Sequence, residues 1–474
     1  MKIKLTVICL LFTFVLTSGF GCAIQDAQTQ AAMKPITLTY WRAWDDSDAF
    51  DAIIKNYKSV HPNINIEYKK FRYDEYENEL LNALAEDRGP DIFSIPNTWI
   101  KKYQNKIEAM PKTTTLAYPV IQGTIKKEII TQIRTNPTLS IKELRNNFVD
   151  VVYNDVIIKQ YDDKTKQTSE LVYGLPLFVD TLAMYYNKDL FNNAGIAEPP
   201  AFWNKTFQQY VKKLTKQNTK GQIIQSGVAL GGSTNIQRST DILSVLMLQN
   251  GATMMNDSGS VLFDTLPQGR SDQQYIPGLE ALRFYTDFAN PAKEVYSWNK
   301  DLDDSLQMFT DNKLAIMFGY SYQLPTIKAQ APKLNFAVAP LPQIENGEQN
   351  INFANYWVET VSKKSQHKNE AWDFVQFMTK ADQVKTYLAQ TNRPPALRTL
   401  ISNTDFYQKD SNANAFYIDV FANQVLTAKS WYHGQDSNAA EKIINEMIDN
   451  VVAGQADIKE IIGLAARKVQ QTVQ

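Results

Sequence analysis

Hydrophobic and polar residues alternate in a regular order along the first part of the chain. Apolar side chains recur at every second position in residues 36–41 and 64–68, which predicts two β-strands. Apolar stripes with helical spacing occupy residues 50–57 and 76–84, and a short apolar run at residues 91–95 predicts a third strand. Strands that alternate with amphipathic helices predict a parallel sheet covered by helices.

Three connections follow the predicted strands at their carboxyl ends. They are residues 41–46, 71–74 and 96–99, and each carries aromatic or polar side chains. Ligands of open α/β sheets bind at the carboxyl ends of the strands. We therefore expect a ligand site near these connections.

Residues 174–187 form the stretch around which we expect the chain to be organised. The second half of this stretch is an uncharged run of strand-forming residues, which is typical of a strand buried on both faces. Pro176 disfavours a central strand in the first half, where Phe178 and Asp180 offer an apolar face and a carboxylate. We interpret the stretch as a crossover between two lobes that forms the floor of a ligand cleft. The alternative is an ordinary buried strand that follows a proline-led turn.

The amino terminus has the pattern of an export signal. Basic residues precede an apolar run that is too short to span a bilayer, and small residues follow it, so residues 1–21 predict a signal peptide. Cys22 directly follows, and the pattern resembles a bacterial lipoprotein signal with Cys22 as the acylated residue, although Gly19 stands where that motif usually has Leu. Residues 22–33 then predict a flexible tether. The alternative is conventional cleavage that leaves Cys22 as a free thiol.

The composition limits the remaining function classes. A chain of 474 residues exceeds one core of ordinary size, so we expect two or three domains. The 49 basic and 50 acidic residues give a formal charge of -1, which argues against nucleic acid as a partner and gives no sign of a polybasic membrane patch. Any membrane contact is therefore expected through the lipid anchor only.

Several tracts, taken in their order along the chain, carry a family resemblance. The chain resembles the family 1 extracellular solute-binding proteins of bacterial ABC importers, the family that includes maltose-binding protein. The tracts are ITLTYWRAWDD, HPNINIEYKKF, GPDIFSIPNTW, YGLPLFVDTLAMYYNKDLF, MFGYSY and NYWVETVSKKSQHKNEAWDFVQFMT. The resemblance implies an α/β periplasmic-binding-protein fold of type II-like topology, with two discontinuous lobes joined by crossover segments.

The resemblance also implies lobe boundaries and partners. We expect the first lobe in residues 34–177 and 355–393, and the second in residues 181–352 and 396–474. Residues 134–170 look like surface additions around the common core, although they are also candidates for shaping the cleft rim. The implied role is a monomeric sugar-binding lipoprotein, attached to the outer face of the cytoplasmic membrane, that delivers its solute to importer permease subunits.

Aromatic and polar residues near predicted strand ends are the candidate ligand contacts. A sugar ring packs its apolar face on a flat side chain, while its hydroxyl edge needs donors and acceptors. For each aromatic residue the alternative is packing in the core, and for the aspartates it is helix capping. The candidates are Trp44, Asp45, Asp46, Asp91, Asn97, Phe178, Asp180, Trp298, Tyr320, Tyr322, Tyr356, Trp357, Arg393 and Trp431.

Two other functions are weighed against sugar import. A secreted glycan hydrolase also lines a cleft with aromatic residues, but no pair of carboxylates in the sequence is marked out for catalysis. The three histidines, His61, His367 and His433, lack the spacing of metal ligands, so no catalytic residue, metal or cofactor is expected. The same fold with a solute other than a sugar is the second alternative.

Overall fold

The computed structural model describes residues 29, 32–123, 127–267, 269, 275–402, 405–407 and 415–474. The predicted signal peptide, Cys22 and most of the predicted tether therefore lie outside the described residues. At the end of the tether, the Asn63 side-chain amide donates to the Ala32 carbonyl oxygen at 3.2 Å, so the chain enters the fold beside Asn63. Among the described helices, none has the length and apolar character needed to cross a membrane.

The first part of the chain contains an α/β unit followed by two hairpins. The predicted β-α-β-α-β order is confirmed. The elements are β1 (Ile36–Arg42), α1 (Asp48–Val60), β2 (Ile64–Lys70), α2 (Tyr73–Ala85), β3 (Ile92–Pro96), α3 (Ile100–Tyr103), β4 (Ile107–Glu108), β5 (Thr113–Gln122), β6 (Glu128–Pro137), α4 (Ile141–Asn147), α5 (Asp150–Val156), β7 (Ile157–Asp162) and β8 (Gln167–Val172).

The middle of the chain carries the strands of a second unit and returns to the first. Its elements are β9 (Asp180–Thr181), β10 (Ala183–Asn187), α6 (Lys188–Asn193), α7 (Lys205–Leu214), β11 (Lys216–Gln217), β12 (Ile223–Gln225), α8 (Ser239–Gln249), α9 (Pro277–Asp287), α10 (Ser305–Thr310), β13 (Ile316–Gly319), α11 (Gln323–Gln330), β14 (Phe336–Ala339), β15 (Asn352–Asn355) and β16 (Trp357–Ser362).

The last part of the chain is mainly helical. Its elements are α12 (Lys368–Met378), α13 (Ala381–Thr391), α14 (Arg398–Ile401), α15 (Ala415–Gln424), β17 (Ala428–Lys429), α16 (Ser437–Val452) and α17 (Ile458–Val473).

The first lobe is built on a five-stranded sheet in the order β2-β1-β3-β16-β4. Strand β1 is parallel to β2 and β3, whereas β16 runs antiparallel to β3 and β4. Leu38, Tyr40 and Arg42 of β1 are buried, as expected for alternate residues that face one side of a sheet. These strands and the helices around them enclose the first hydrophobic cluster.

The second lobe is built on a three-stranded antiparallel sheet with β10 at its centre. Ala183, Met184 and Tyr185 of β10 have no exposed surface, which confirms the buried strand predicted from the uncharged run. Helix α8 is buried from Ser239 to Met247, and the sheet and helices of this lobe enclose the second hydrophobic cluster.

A small sheet joins the two lobes. It has the order β17-β15-β9, with β15 parallel to β17 and antiparallel to β9. We call it the hinge sheet. Along β15, Phe353 packs into the second cluster and Ala354 into the first, so the chain passes between the lobes here.

Residues 396–431 pack partly into each of the two hydrophobic clusters. Ala396 and Leu397 pack into the first cluster, because the Val149 amide donates to the Ala396 carbonyl and Leu397 pairs with Phe148. Ala428 in β17 belongs to the first cluster and Trp431 to the second. Residues on the two sides of β17 thus pack into different clusters.

Candidate functional site

A cavity of about 260 Å³ lies between the two lobes. The first lobe contributes the connections after β1 and β3, and the second contributes the amino-terminal ends of α8 and α16. The hinge sheet contributes Phe353, Ala354 and Asn355. The cavity thus lies at the carboxyl ends of β1 and β3, where the sequence predicts a ligand site.

Aromatic rings form one side of the cavity. Trp44 stacks on Tyr73 with ring centroids 5.0 Å apart and on Tyr322 of the second lobe at 6.4 Å. Trp357 meets Trp44 edge to face at 6.4 Å. Trp44 is 37% exposed although it has these neighbours, so part of its ring faces the open space. On the opposite side, Trp431 donates from its indole nitrogen to the Ser244 hydroxyl at 3.0 Å.

The cavity floor carries a buried carboxylate at the first crossover. Asp180 accepts hydrogen bonds from the Ser321 amide at 3.1 Å and the Ser321 hydroxyl at 2.7 Å. The Arg393 guanidinium lies 3.8 Å from Asp180 and 5.2 Å from the centre of the Phe178 ring. Burial raises the pKa of Asp180 to about 6, against the opposing effect of Arg393. This carboxylate connects residues of both lobes.

A second charged group lies in the second-lobe wall. Arg238 donates two hydrogen bonds to Asp241 at 2.8 and 2.9 Å, and a third to Glu441 at 3.4 Å. The fully buried Tyr320 donates a hydrogen bond from its hydroxyl to Asp241 at 2.6 Å. Arg238 and Glu441 keep 25% and 42% of their side-chain surface exposed, so they are available to a polar ligand.

The lobes touch each other beside the cavity. The Trp99 indole nitrogen of the first lobe donates to the Ser437 hydroxyl, at the start of α16, at 3.1 Å. Together with the Trp44–Tyr322 stack, this hydrogen bond joins the two lobes beside the cavity. The arrangement is suited to enclosing a small molecule with flat apolar faces and a polar edge.

The sequence matches the Bacterial extracellular solute-binding protein family profile over residues 52–415. The chain belongs to this family. A binding protein of Brucella abortus (strain 2308) is 24% identical over 340 residues, which cover 70% of this chain and 69% of the relative. The maltooligosaccharide ABC transporter solute-binding lipoprotein of Streptococcus pneumoniae (strain ATCC BAA-255 / R6) is 23% identical over 326 residues, which cover 66% of this chain and 69% of the relative.

Solved structures share the two-lobed fold of this solute-binding protein. One is the cyclic alpha-maltosyl-1,6-maltose binding protein from Arthrobacter globiformis, with a TM-score of 0.67, 17% identity and coverage of 93% of this chain and 99% of that chain. Another is an ABC substrate-binding protein from Listeria monocytogenes in complex with cycloalternan, with a TM-score of 0.64, 16% identity and coverage of 93% and 99%. The comparison confirms the predicted two-lobed α/β fold.

The structure brings eight of the candidate ligand contacts of this solute-binding protein to the interlobe cavity. They come from seven separate stretches of the chain, which meet only in the folded protein. They are Trp44, Asn97, Phe178, Asp180, Tyr322, Trp357, Arg393 and Trp431.

The other three aspartates among the candidates do not line the cavity. Asp45 accepts hydrogen bonds from Arg42 at 3.1 Å and from Tyr387 at 2.8 Å within the first lobe. Asp46 pairs with Lys70 on the surface at 2.8 Å. Asp91 precedes β3, at the opposite end of the strand, and accepts from Thr39. Each aspartate thus serves its own lobe.

Three aromatic candidates also lie outside the cavity lining. Trp298 is fully buried in the second lobe and donates to Asn235 at 3.0 Å. Tyr320 is fully buried behind Tyr322, whose ring stacks on it at 5.8 Å. Tyr356 is fully buried, and its hydroxyl donates to Asp155 at 2.6 Å. Here the alternative of core packing is correct.

Sequence reasoning missed part of the second-lobe wall. Arg238 and Glu441 are not among the candidate contacts, and helix α16 carries no sign of a ligand site in its sequence. Tyr73 falls within the connection 71–74, whose position after a predicted strand was its only signal. Trp99, in the connection 96–99, also lines the cavity although it is not among the candidate contacts.

A search of the described residues finds no group of His, Cys, Asp or Glu arranged to hold a metal ion.

Proposed function

We propose that this protein is the substrate-binding lipoprotein of an ABC importer and captures a neutral carbohydrate in the interlobe cavity when the lobes close. The observation that carries the proposal is the stack of Trp44 on Tyr73 and, across the lobes, on Tyr322. Flat aromatic surfaces from both lobes favour a ligand with two apolar faces, as a sugar ring has. A ligand that touches both lobes stabilises the closed state over the open one.

The relatives support the ligand class. Their names include a maltodextrin-binding protein of Bacillus subtilis (strain 168) and the maltooligosaccharide-binding lipoprotein of Streptococcus pneumoniae. A structural neighbour with a TM-score of 0.65 is a cyclo/maltodextrin-binding protein complexed with maltotetraose. Maltodextrins are therefore the first sugars to test.

The proposed contacts are the eight candidates that line the cavity, together with Tyr73, Arg238 and Glu441. The aromatic members pack against sugar rings. The charged members bind hydroxyl groups, because charged hydrogen-bonding partners form the stronger hydrogen bonds. Asp45, Tyr320 and Tyr356 lie outside the cavity lining, and we propose that they hold the neighbouring contact residues in position.

The packing also supports a revised division into lobes. We place residues 34–179 and 354–428 in the first lobe, and residues 182–353 and 431–474 in the second, because the hydrophobic clusters divide there. Helix α15 lies across the division, with Ile418 in one cluster and Phe421 in the other. Export, the Cys22 anchor, a monomeric state and the permease partner remain parts of the proposal.

The carboxylates that line the cavity favour binding over hydrolysis. A glycan hydrolase needs one carboxyl group that gives a proton to the leaving oxygen and a second one that attacks or activates water. Among the described lining residues, Asp180 is held by Ser321 and lies beside Arg393, while Asp241 and Glu441 share Arg238. These hydrogen bonds and ion pairs give each of the three carboxylates a partner within the protein. We therefore propose that the protein has no enzymatic activity.

A thermal-shift screen tests the proposed function. The exported chain, residues 22–474, is heated with maltodextrins and other mono- and oligosaccharides, and with polyamines, phosphate esters and iron as competing classes. A ligand that binds only the folded state raises the melting temperature by mass action. We expect a shift with a neutral sugar and no sugar product by chromatography. A shift with another class alone contradicts the carbohydrate proposal, and product formation contradicts the absence of enzymatic activity.

A further inference from the structure

A second, larger space lies beside the interlobe cavity. It has a volume of about 740 Å³, and it shares Asn97, Thr98 and Ser430 with the lining of the cavity. We call it the side groove. Pockets that hold drug-sized ligands measure roughly 300–1,000 Å³, so the side groove is large enough for several linked rings, whereas the cavity alone is small.

Both lobes form the walls of the side groove. On the first lobe the wall consists of helix α5 and hairpin β7–β8, which the sequence interprets as additions to the core. On the second lobe it consists of residues 255–259 and the end of α17. Lys159 of the hairpin comes within 4.0 Å of Asp257, so the two walls approach each other at this point. The additions therefore shape an interlobe surface.

A buried carboxylate fixes the shared wall between the two spaces. Asp155 of α5 accepts hydrogen bonds from Asn97 at 2.8 Å and from Tyr356 at 2.6 Å through one oxygen. Its other oxygen accepts from Ser430 and lies 3.9 Å from a ring nitrogen of His433. Asn97 and Ser430 thus present fixed surfaces to both the cavity and the side groove.

The chemistry of the side groove suits a neutral, hydroxyl-rich chain. Three basic side chains, Lys101, Arg145 and Lys159, face three acidic ones, Asp155, Glu170 and Asp257. This balance gives no preference for an anionic or cationic ligand. The remaining lining includes amide side chains, apolar side chains such as Ile157 and Met255, and a flat ring.

The flat ring belongs to Tyr153. It is half-buried, and the Arg145 guanidinium lies 5.6 Å from its centre, which holds one face of the ring in place. Asn154, the next residue, is exposed in the same wall and presents an amide. A ring beside amide groups is the combination that packs on and hydrogen-bonds to a sugar unit.

We infer that the side groove binds the outer units of a neutral oligosaccharide whose first units occupy the aromatic cavity. This inference rests on the proposed function and adds the size of the substrate, which is longer than a disaccharide. It also gives residues 153–159 a role as a length-selecting wall.

Calorimetric titration with sugar ladders tests the inference. The exported chain, residues 22–474, is titrated with maltose, maltotetraose and maltohexaose, and with mannobiose and mannotetraose. For the sugar series that binds, we expect the affinity to rise at least about tenfold from the disaccharide to the longest sugar. Tyr153→Ala is expected to remove most of this gain and to leave disaccharide affinity unchanged. Tyr161→Ala, on the exposed part of β7 outside the groove lining, is the matched control and should keep the gain.

A second variant covers the case in which Tyr153→Ala unfolds. Asn154→Trp fills the groove from an exposed position and should remove the same length-dependent gain. Equal wild-type affinity for short and long sugars overturns the inference and leaves the proposed function standing. A gain that persists in the groove variants, or an equal loss for all lengths, also overturns it. If no sugar in either ladder binds, the proposed function fails and the inference fails with it.

Discussion

Two arginine–carboxylate clusters, one in each lobe, have the same local arrangement but different surroundings. In the first lobe, Arg42 pairs with Asp45 three residues later and with Glu359 from β16 at 2.7 Å. In the second lobe, Arg238 pairs with Asp241 three residues later and with Glu441 from α16 at 3.4 Å. Each cluster also contains a residue with positive φ, Asp45 at 66° and Arg238 at 59°.

The clusters differ in their access to the interlobe cavity. Arg42 and Glu359 each keep only 1% of their side-chain surface exposed, and Tyr40 donates to Glu359 at 2.7 Å. Arg238 and Glu441 face the cavity. The comparison indicates that an arginine–carboxylate cluster supports the fold when its members are enclosed, and that it is accessible to a ligand when some of them stay exposed.

The largest expected effect comes from breaking the enclosed cluster. Arg42→Met leaves Glu359 without its cation in a buried setting, and removing one partner of a buried pair costs about 3–5 kcal/mol. Arg238→Met should cost no more than about half as much, because water reaches Glu441. Urea unfolding of both variants measures the free energies of unfolding.

Arg72→Met provides the control for this pair. Arg72 is an exposed arginine of the first lobe that pairs with Asp74, and exposed pairs contribute little. An equal loss for Arg42→Met and Arg238→Met contradicts the distinction between the enclosed and the open cluster.

The next largest effect on stability is expected at Asp180. This carboxylate lies in the cavity floor and is connected to the enclosed cluster through Arg393. Arg393 lies 3.7 Å from Asp45 and 3.8 Å from Asp180. Because burial raises the pKa of Asp180 from 3.8 to about 6, the folded state holds this proton more tightly than the unfolded state. Protonation of Asp180 therefore stabilises the folded state. This contribution is complete below about pH 4 and is lost as the pH rises through about 6.

Asp180→Asn removes this titration. The wild type should therefore lose about 2 kcal/mol of unfolding free energy relative to the variant between pH 4 and pH 7. Urea unfolding at both pH values measures the difference. A difference between the two proteins that does not change with pH shows that Asp180 has an ordinary pKa.

The smallest expected effect on stability comes from the open cluster. Glu441→Gln keeps the Arg238–Asp241 pair and replaces a partly exposed charge, so the unfolding free energy should change by less than about 1 kcal/mol. Sugar affinity should fall about tenfold, because a hydrogen bond to a charged group contributes roughly 1.5–3 kcal/mol. Glu446→Gln on the same helix, which breaks a remote pair with Lys468, should leave affinity unchanged. Equal affinity in both variants places Glu441 outside the site.

Local periodicity predicted the first elements of the fold and the buried strand β10. It did not predict which strands from distant parts of the chain pair with one another in the sheets. The alternation in β1 and the uncharged run in β10 gave the strands correctly, because one-sided or two-sided burial leaves a direct pattern in the sequence. The insertion of β16 between β3 and β4 joins residues far apart in the chain. The two-residue strand β17 has no pattern of its own, so its pairing with β15 could not be predicted.

The candidate site shows the same limit. Trp44 and Trp357 reach the cavity because aromatic residues at strand ends lie at the edge of a sheet. Asp45 turns inward because Arg42 occupies a buried position of β1, and that position was visible in the alternation of Leu38, Tyr40 and Arg42. The approach of Glu441 to Arg238 depends on tertiary packing between α8 and α16, which no local pattern records.

Calorimetric titration of Trp44→Ala and Trp298→Phe, with the sugar identified by the screen, tests most directly whether the interlobe cavity binds the sugar. Trp44 lines the cavity, whereas Trp298 is buried in the core of the second lobe and does not line the cavity. We expect Trp44→Ala to weaken binding at least about tenfold with an unchanged melting temperature, because a stacking surface is lost. Trp298→Phe should lower the melting temperature and keep the affinity. Unchanged affinity in Trp44→Ala contradicts the claim that the interlobe cavity holds the sugar.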